Sequence, residues 1–407
     1  MGFQHGLSGL NAAARNLDVI GNNVANANTI GFKQGRAEFA DIYAGSVTSS
    51  SSTAIGIGVN LAAVTQQFGQ GNITATNSPL DIAINGGGFF RMSNNGSIAY
   101  TRNGQFQLDR NGYMVSSAGS RLTGYPVDAI GQITAGAPAE LRMSTSDLSP
   151  KPTSEIGMVL NLDARKTAPV GTFDPSDAST YTSTTSINVY DSQGNAYAMS
   201  VYFVKSATPN KWDVRVALDG TTVGTGPVGT LTFNADGSLD TTASSVPFSL
   251  TLPNTNGATF GGAIPLDFTG TTQFGSVFGV NAATQDGYAS GKLTGLAIDQ
   301  SGIITGRYSN GQTKIQGQIA LVAFPNSQGL TPSGGNQWVE TTYSGAPLVG
   351  TPGGSNLGML QSGALEESNV DLTQELVNMI TAQRNYQANA QTIKTQDQVL
   401  QTLVNLR

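Results

Sequence analysis

Residues 371–407 read DLTQELVNMITAQRNYQANAQTIKTQDQVLQTLVNLR, 37 positions with neither Gly nor Pro. Within them Leu372, Leu376, Met379, Gln383, Tyr386, Ala390, Ile393, Asp397, Leu400 and Val404 recur at alternating steps of four and three. One stripe of a helix collects them, and eight of the ten are apolar. Ser368 or Asn369 is placed to cap its start. A helix from Asp371 to Arg407 would be about 55 Å long at roughly 1.5 Å per residue, too long for the inside of an ordinary domain. Full burial of the apolar seam would contribute roughly 1.5–3 kcal/mol per residue, whereas the helix alone leaves that stripe in water. The helix therefore requires a partner: another chain, or the other helical end of this one within a single domain.

That other end is the N-terminus. Phe3, Leu7, Leu10, Ala14, Leu17, Gly21 and Val24 follow the same four-three spacing on a narrower stripe that contains small residues. If neither stripe is covered within the chain, the free monomer is poorly ordered at both ends. Between the ends the pattern changes to short alternating runs and Gly-containing turns, as in antiparallel sheets. Ile187 to Phe203 reads as a hairpin around Asp191-Ser192-Gln193-Gly194-Asn195; similar patterns occur at Phe106 to Val115, around Asn111-Gly112, and at Leu231 to Leu239, around Asp236-Gly237. The predicted fold is mainly β in the middle, as antiparallel sheets or barrel-like domains, between α-helical N- and C-terminal segments that pair as a coiled coil in an assembly.

Composition narrows the function. Charged residues are 11% of the 407, against roughly 25% in an average soluble domain, and Gly supplies 51 positions. The surface is thus polar mainly through Ser, Thr, Asn and Gln, which pack against copies of themselves with less repulsion than like charges. A net charge of −6, without a basic stripe, argues against nucleic acid. The absence of cysteine removes disulfides, thiolate metal sites and thiol nucleophiles. His5 is the only histidine and has no second ligand or triad partner in the sequence pattern. Asp109 to Gly112 and Asp191 to Gly194 lack the remaining ligands of a calcium loop, and Gly86-Gly87-Gly88 and Gly353-Gly354 lack the Lys-Ser/Thr of a phosphate loop. No catalytic residue, metal or cofactor is expected. Neither a secretory signal nor a membrane span is legible, so no membrane insertion is expected; the chain reads as cytoplasmic or exported without a cleavable signal.

The segment Gly21-Asn22-Asn23-Val24-Ala25-Asn26-Ala27-Asn28-Thr29-Ile30-Gly31-Phe32-Lys33 resembles the N-terminal signature of the flagellar rod and hook axial family. On physical grounds Asn and Gly end the helix, Gly31 permits a turn and Phe32 offers an aromatic anchor to a neighbour. Gly363 to Leu372, continuing to Gln387, resembles the family's C-terminal signature. Leu80 to Gly86 with Gly88-Phe89-Phe90, and Thr101-Arg102-Asn103-Gly104, resemble its β-domain. The likeness covers roughly residues 1–125 and 285–407. The region 146–281 resembles the additional outer domain of hook subunits, which favours hook over distal rod; a secreted β-rich adhesin is the alternative from another class.

The resemblance implies an inner core domain of 1–70 with 361–407, an inner β-domain of 71–145 with 282–360, and an inserted outer β-domain of 146–281. It implies a helical homopolymer at the bacterial cell exterior, exported through the flagellar type III apparatus. The implied partners are a distal rod protein, a hook cap protein and hook-filament junction proteins. The expected assembly interface is Leu7, Leu10, Ala14, Leu17, Val24, Asn22, Asn23, Ala25, Asn26, Gly31 and Phe32 at one end, with Leu372, Leu376, Met379, Tyr386, Ala390, Ile393, Leu400 and Val404 at the other. The stretch Ser46 to Thr53, nearly all Ser and Thr, is expected to be a mobile loop, within a Ser/Thr-rich loop, 44–59, whose length varies in the family it resembles.

Overall fold

A computed structural model describes residues 2–42, 56–128, 131–134, 136–254, 257–354 and 356–405. Most of the Ser/Thr-rich stretch, 44–55, lies outside the described residues. The chain divides into two compact units, Met1–Thr145 with Gly295–Gly306 and Thr313–Arg407, and Ser146–Thr294 with Arg307–Gln312.

The first unit opens with helix α1 (Gly2–Ala25), followed by a two-stranded antiparallel ribbon of β1 (Gly35–Ile42) and β2 (Gly58–Gln66). Its β-core is built on a sheet in which Thr313–Ile319, Arg121–Pro126, Phe89–Asn94, Ser97–Thr101 and Gln337–Val339 lie side by side. Ile82, Ile84, Phe90, Met92, Leu122, Ile319, Leu321 and Leu360 fill one buried cluster, and Phe89, Tyr100 and Trp338 pack with Phe68 and Phe324 in another. Two short pairings bring the late chain back onto the early chain: Met359–Ser362 on Ile82–Asn85, and Ala364–Glu366 on Ile73–Ala75. The helix Leu372–Asn405 follows.

The second unit is two sheets around one apolar core. Phe248–Thr251, Ala263–Asp267, Ile156–Asn161 and Gly279–Gln285 form the first, and Ser183–Tyr190, Ala196–Lys205, Lys211–Leu218, Thr221–Thr222 and Gly229–Thr232 the second. Both contribute to a cluster that includes Leu160, Val201, Phe203, Trp212, Leu266 and Phe268. A one-turn helix, α2 (Thr241–Ser244), is capped by Asp240. The unit runs past Asn281 because Gly279–Gln285 pairs along Ile156–Asn161, and Tyr288 and Gly291 bridge back to Lys151 and Leu148.

The hairpin signals form the turns they predict. Asp191 Oδ1 accepts the backbone N–H groups of Gln193 and Asn195, both at 2.9 Å, with Gly194 at φ +84°. Asp109 Oδ1 does the same for Asn111 and Tyr113, both at 2.8 Å. These carboxylates are occupied as Asx turns.

Candidate assembly interface

Helix α3 (Leu372–Asn405) starts one turn later than the caps expected at Ser368 or Asn369. Asp371 Oδ1 accepts the N–H groups of Thr373 at 2.8 Å and Gln374 at 3.1 Å and so supplies the cap. Asn369 instead accepts the N–H of Gln34 at 2.8 Å and donates to the Gln67 carbonyl at 2.7 Å, fastening the chain ahead of α3 to the residues bounding β1 and β2.

The two terminal helices meet antiparallel within one chain. A Cβ on Gly6 would lie 2.9 Å from Ile393 Cγ1, and one on Gly9 would lie 2.6 Å from Asn389 Oδ1. At the other end of the pair, buried Asn23 donates to Glu375 Oε2 at 3.3 Å. The contacts that define the pair are Gly6 against Ile393, Gly9 against Asn389 and Asn23 against Glu375, with Ala13 and Ile20 on α1 and Ala382 on α3 buried at the same helical spacing. Small residues let the backbones approach closely, and the polar groups at the contact are hydrogen-bonded. Asn23 pairs both ways with Gly35, donating to its carbonyl at 2.8 Å and accepting its N–H at 2.9 Å, and Gln34 donates to Glu375 Oε1 at 2.7 Å.

The expected seams lie elsewhere on the same helices. Each is turned from the contact stripe by about one residue's rotation, roughly 100°. Leu7 is 44% exposed, and Leu10, Ala14, Leu17 and Val24 are half-buried. On α3, Leu372, Leu376 (49%), Tyr386, Leu400 and Val404 (74%) are exposed, whereas Met379, Ala390 and Ile393 are half-buried. Of these, Ile393 also meets α1, at Gly6. Val377, Ile380 and Val399 add to the exposed apolar surface of α3. Among the described residues no helix is long and apolar enough to cross a membrane.

The motif residues divide by role. Asn22 and Ala25 are exposed; Asn26 donates to the Asn22 carbonyl at 3.0 Å and closes the end of α1. Gly31 is buried at φ +70°, and a Cβ there would sit 2.6 Å from the Asn103 backbone nitrogen, so the position needs glycine twice over. Phe32 is half-buried on the wall of a cavity of about 560 Å³ shared with Val19, Asn22, Val64, Asn336 and Trp338.

Beside this turn lies a charge cluster that periodicity did not single out. The Lys33 ammonium bonds Glu366 Oε1 with both side chains fully buried, and donates to the Gly69 carbonyl at 2.7 Å. Arg102 donates to Glu366 Oε2 at 3.1 Å and to the Gly86 carbonyl at 2.8 Å, with its guanidinium 5.4 Å from the Phe89 ring centre. Burial pushes Lys33 and Arg102 below their ordinary pKa values, and the Glu366 carboxylate opposes that shift in both. The usable signal was charge itself: Lys33, Arg102 and Glu366 each sit inside a motif quoted above, in a chain where ionised residues are scarce. His5 Nε2 donates to the Gly56 carbonyl at 2.7 Å, tying α1 to the chain just ahead of β2.

Four family profiles match the chain: flagella basal body rod protein over residues 3–33, flagellar hook protein FlgE/F/G D1 domain over 83–146, flagellar basal body protein FlaE D2 domain over 161–288, and flagellar basal body rod FlgEFG protein C-terminal over 361–406. The chain is 46% identical to the flagellar hook protein FlgE of Salmonella typhimurium over 417 aligned residues, with the whole of both chains covered. It is 34% identical to that of Borreliella burgdorferi, covering 99% of this chain and 98% of the other. Among solved structures, the flagellar hook protein FlgE2 of Helicobacter pylori shares the fold at a TM-score of 0.52 and 14% identity, over 72% of this chain and all of the other.

Proposed function

The chain belongs to the flagellar hook protein family, and from that membership we propose that it is the structural subunit of a bacterial flagellar hook, polymerising into the flexible tube that transmits torque between rod and filament. The single observation that carries the assembly reading is the exposed apolar surface left on α3 after α1 has docked. Leu372, Leu376, Ile380, Leu400 and Val404 remain in water although a 34-residue helix carries them. Apolar burial between subunits is hard to undo, which suits contacts that hold while the tube turns. The weakly charged, hydroxyl- and amide-rich β-surfaces suit contacts that exchange as neighbours shear. The resemblance supplies the remaining partners: a distal rod protein, a hook cap, junction proteins and the type III export apparatus. The chain's role is mechanical, with no reaction catalysed.

The test is a charge placed on the exposed seam. Leu376→Asp buries an unpaired carboxylate in every subunit contact of the polymer, at a cost of several kcal/mol, yet leaves the monomer intact because Leu376 is already half in solvent. We expect no tubes by electron microscopy and an unchanged melting curve. Thr381→Asp, at an exposed position off the seam, is the matched control and should assemble better. Normal tubes from Leu376→Asp, or loss of the β-core in the monomer, would remove α3 as the assembly seam.

A further inference from the structure

An asparagine followed by glycine is open to attack by its own backbone, because glycine puts no side chain between the next amide nitrogen and the asparagine carboxamide. The sequence holds such pairs at Asn85, Asn95, Asn103, Asn111, Asn256 and Asn310. Asn256 lies outside the described residues. The others share the same following residue, so their local chemistry is equal and the fold ranks them.

All but one are restrained. The Gly112 and Gly311 N–H groups donate to the Asp109 and Tyr308 carbonyls, each at 3.0 Å, so both nitrogens are occupied. The Asn310 side chain is held as well, donating to the Ala289 carbonyl at 2.7 Å and accepting the Gln312 N–H at 3.1 Å. Asn103 Oδ1 accepts the Gln105 N–H at 3.0 Å, and buried Gly104 lies so close to the Ile82 carbonyl that no Cβ would fit. Asn85 ends the strand paired with Met359–Ser362, and the Gly86 N–H donates to Gln70 Oε1 at 3.0 Å.

Asn95 differs. With Gly96 it forms the two-residue turn between Phe89–Asn94 and Ser97–Thr101, where Asn94 faces Ser97 and the turn residues have φ 51° and 92°. Both are exposed. Neither the Asn95 side chain nor the Gly96 N–H has a hydrogen-bond partner among the described residues, and a Cβ on Gly96 would meet nothing within 4 Å. Nucleophile and electrophile are thus adjacent and uncommitted, with space for the peptide between them to rotate.

We propose that Asn95-Gly96 is a site of spontaneous modification, at which the asparagine of the folded protein deamidates to aspartate and isoaspartate. Solvent base takes the Gly96 N–H proton, and the nitrogen attacks Asn95 Cγ. The new N–Cγ bond forms as the Cγ–Nδ2 bond breaks, and Nδ2 leaves as ammonia with a proton from solvent. Water then opens the resulting succinimide at either carbonyl, leaving one carboxylate and no change of oxidation state. That carboxylate joins the 26 acidic side chains of a weakly charged chain. Isoaspartate also lengthens the turn by one backbone carbon, in a hairpin whose turn length sets the register of its strands. The site rests on this hairpin alone and stands whether or not the chain polymerises.

The test holds the full chain in warm, mildly alkaline buffer, with a second sample in concentrated urea, and follows each site over time by peptide mass spectrometry. In the folded chain Asn95 should convert about tenfold or more faster than Asn103, Asn111 and Asn310, each of which must first break a hydrogen bond or move packed backbone. In urea these sites should converge, because the restraint is tertiary. The Asn95 peptide should separate chromatographically into aspartyl and isoaspartyl products, the latter accepting methyl groups from an isoaspartyl methyltransferase. Equal rates at these sites in the folded chain, a ranking that persists in urea, or aspartate as the sole product, as direct hydrolysis would give, would each overturn the proposal.

Discussion

At the scale of single residues, the polar side chains of this weakly charged protein are spent on fixing backbone. Asp286 is the clearest case in the second unit. It pairs with Lys151 at 2.8 Å and accepts the N–H groups of Ser154 at 2.8 Å and Glu155 at 3.0 Å, closing the end of the strand Gly279–Gln285. Burial raises this carboxyl, but the Lys151 ammonium and the Ser154 and Glu155 donors more than reverse it, so it sits well below the usual carboxylate range. A carboxylate depressed by folding stabilises above its unfolded pKa, about 3.9, and that contribution is lost as pH falls through the folded value. Asp286→Asn should therefore cost the second unit about 1.5–3 kcal/mol at neutral pH, and the gap to the parent should narrow progressively below about pH 4. Urea unfolding followed through buried Trp212, in a Trp338→Phe background, measures both. An acid-independent gap would assign the loss to packing instead.

At the scale of elements, the terminal helices are held by their less apolar faces. Hydrophobic periodicity picks the richest stripe of each helix, yet the contact between α1 and α3 is made where Gly6 and Gly9 allow close approach and where Asn23, Gln34 and Glu375 satisfy one another. The richer stripes are left for other surfaces. The arrangement makes a specific prediction for Gly6, which has no room for a side chain against Ile393. Gly6→Leu should force the helices apart at a cost of about 1–3 kcal/mol, the usual penalty of overpacking. Hydrogen exchange in 2–20 and 380–396 should then accelerate about fivefold or more while 121–126 and 313–319 stay protected. Unchanged exchange in both helices would mean the pair is loose enough to absorb a leucine.

At the scale of the whole molecule, the main segment of the second unit, Ser146–Thr294, is an insertion with neighbouring ends. Leu148 and Gly291 exchange both backbone hydrogen bonds, at 2.7 and 3.1 Å, where the chain enters and leaves it. An inserted domain with its own core and adjacent ends is removable in principle. Deleting 149–290 and joining Leu148 to Gly291 through a two-residue turn should leave the first unit folded, with its melting transition and Trp338 fluorescence close to the parent's. Loss of the Trp338 signal would show that the first unit depends on the insert. The shortened chain, which keeps the terminal helices and the ribbon, should still form tubes, and these should differ in stiffness or curvature.

Local pattern alone determined the two helical ends, the β-rich middle and its Asx-Gly turns, because periodicity, breakers and turn residues act over a few positions. The motifs at both termini were legible for the same reason, including the glycine at 31 whose φ of +70° a turn demands. What only the tertiary structure decided are pairings across hundreds of residues. Nothing near Lys33 in the sequence points to Glu366, and nothing near Gly6 points to Ile393. A cap is local, but which of Ser368, Asn369 and Asp371 takes that role depends on Asn369 being drawn away to Gln34 and Gln67. Burial and counter-charge are properties of the folded neighbourhood, and a linear pattern carries them only where the neighbour is also a neighbour in sequence.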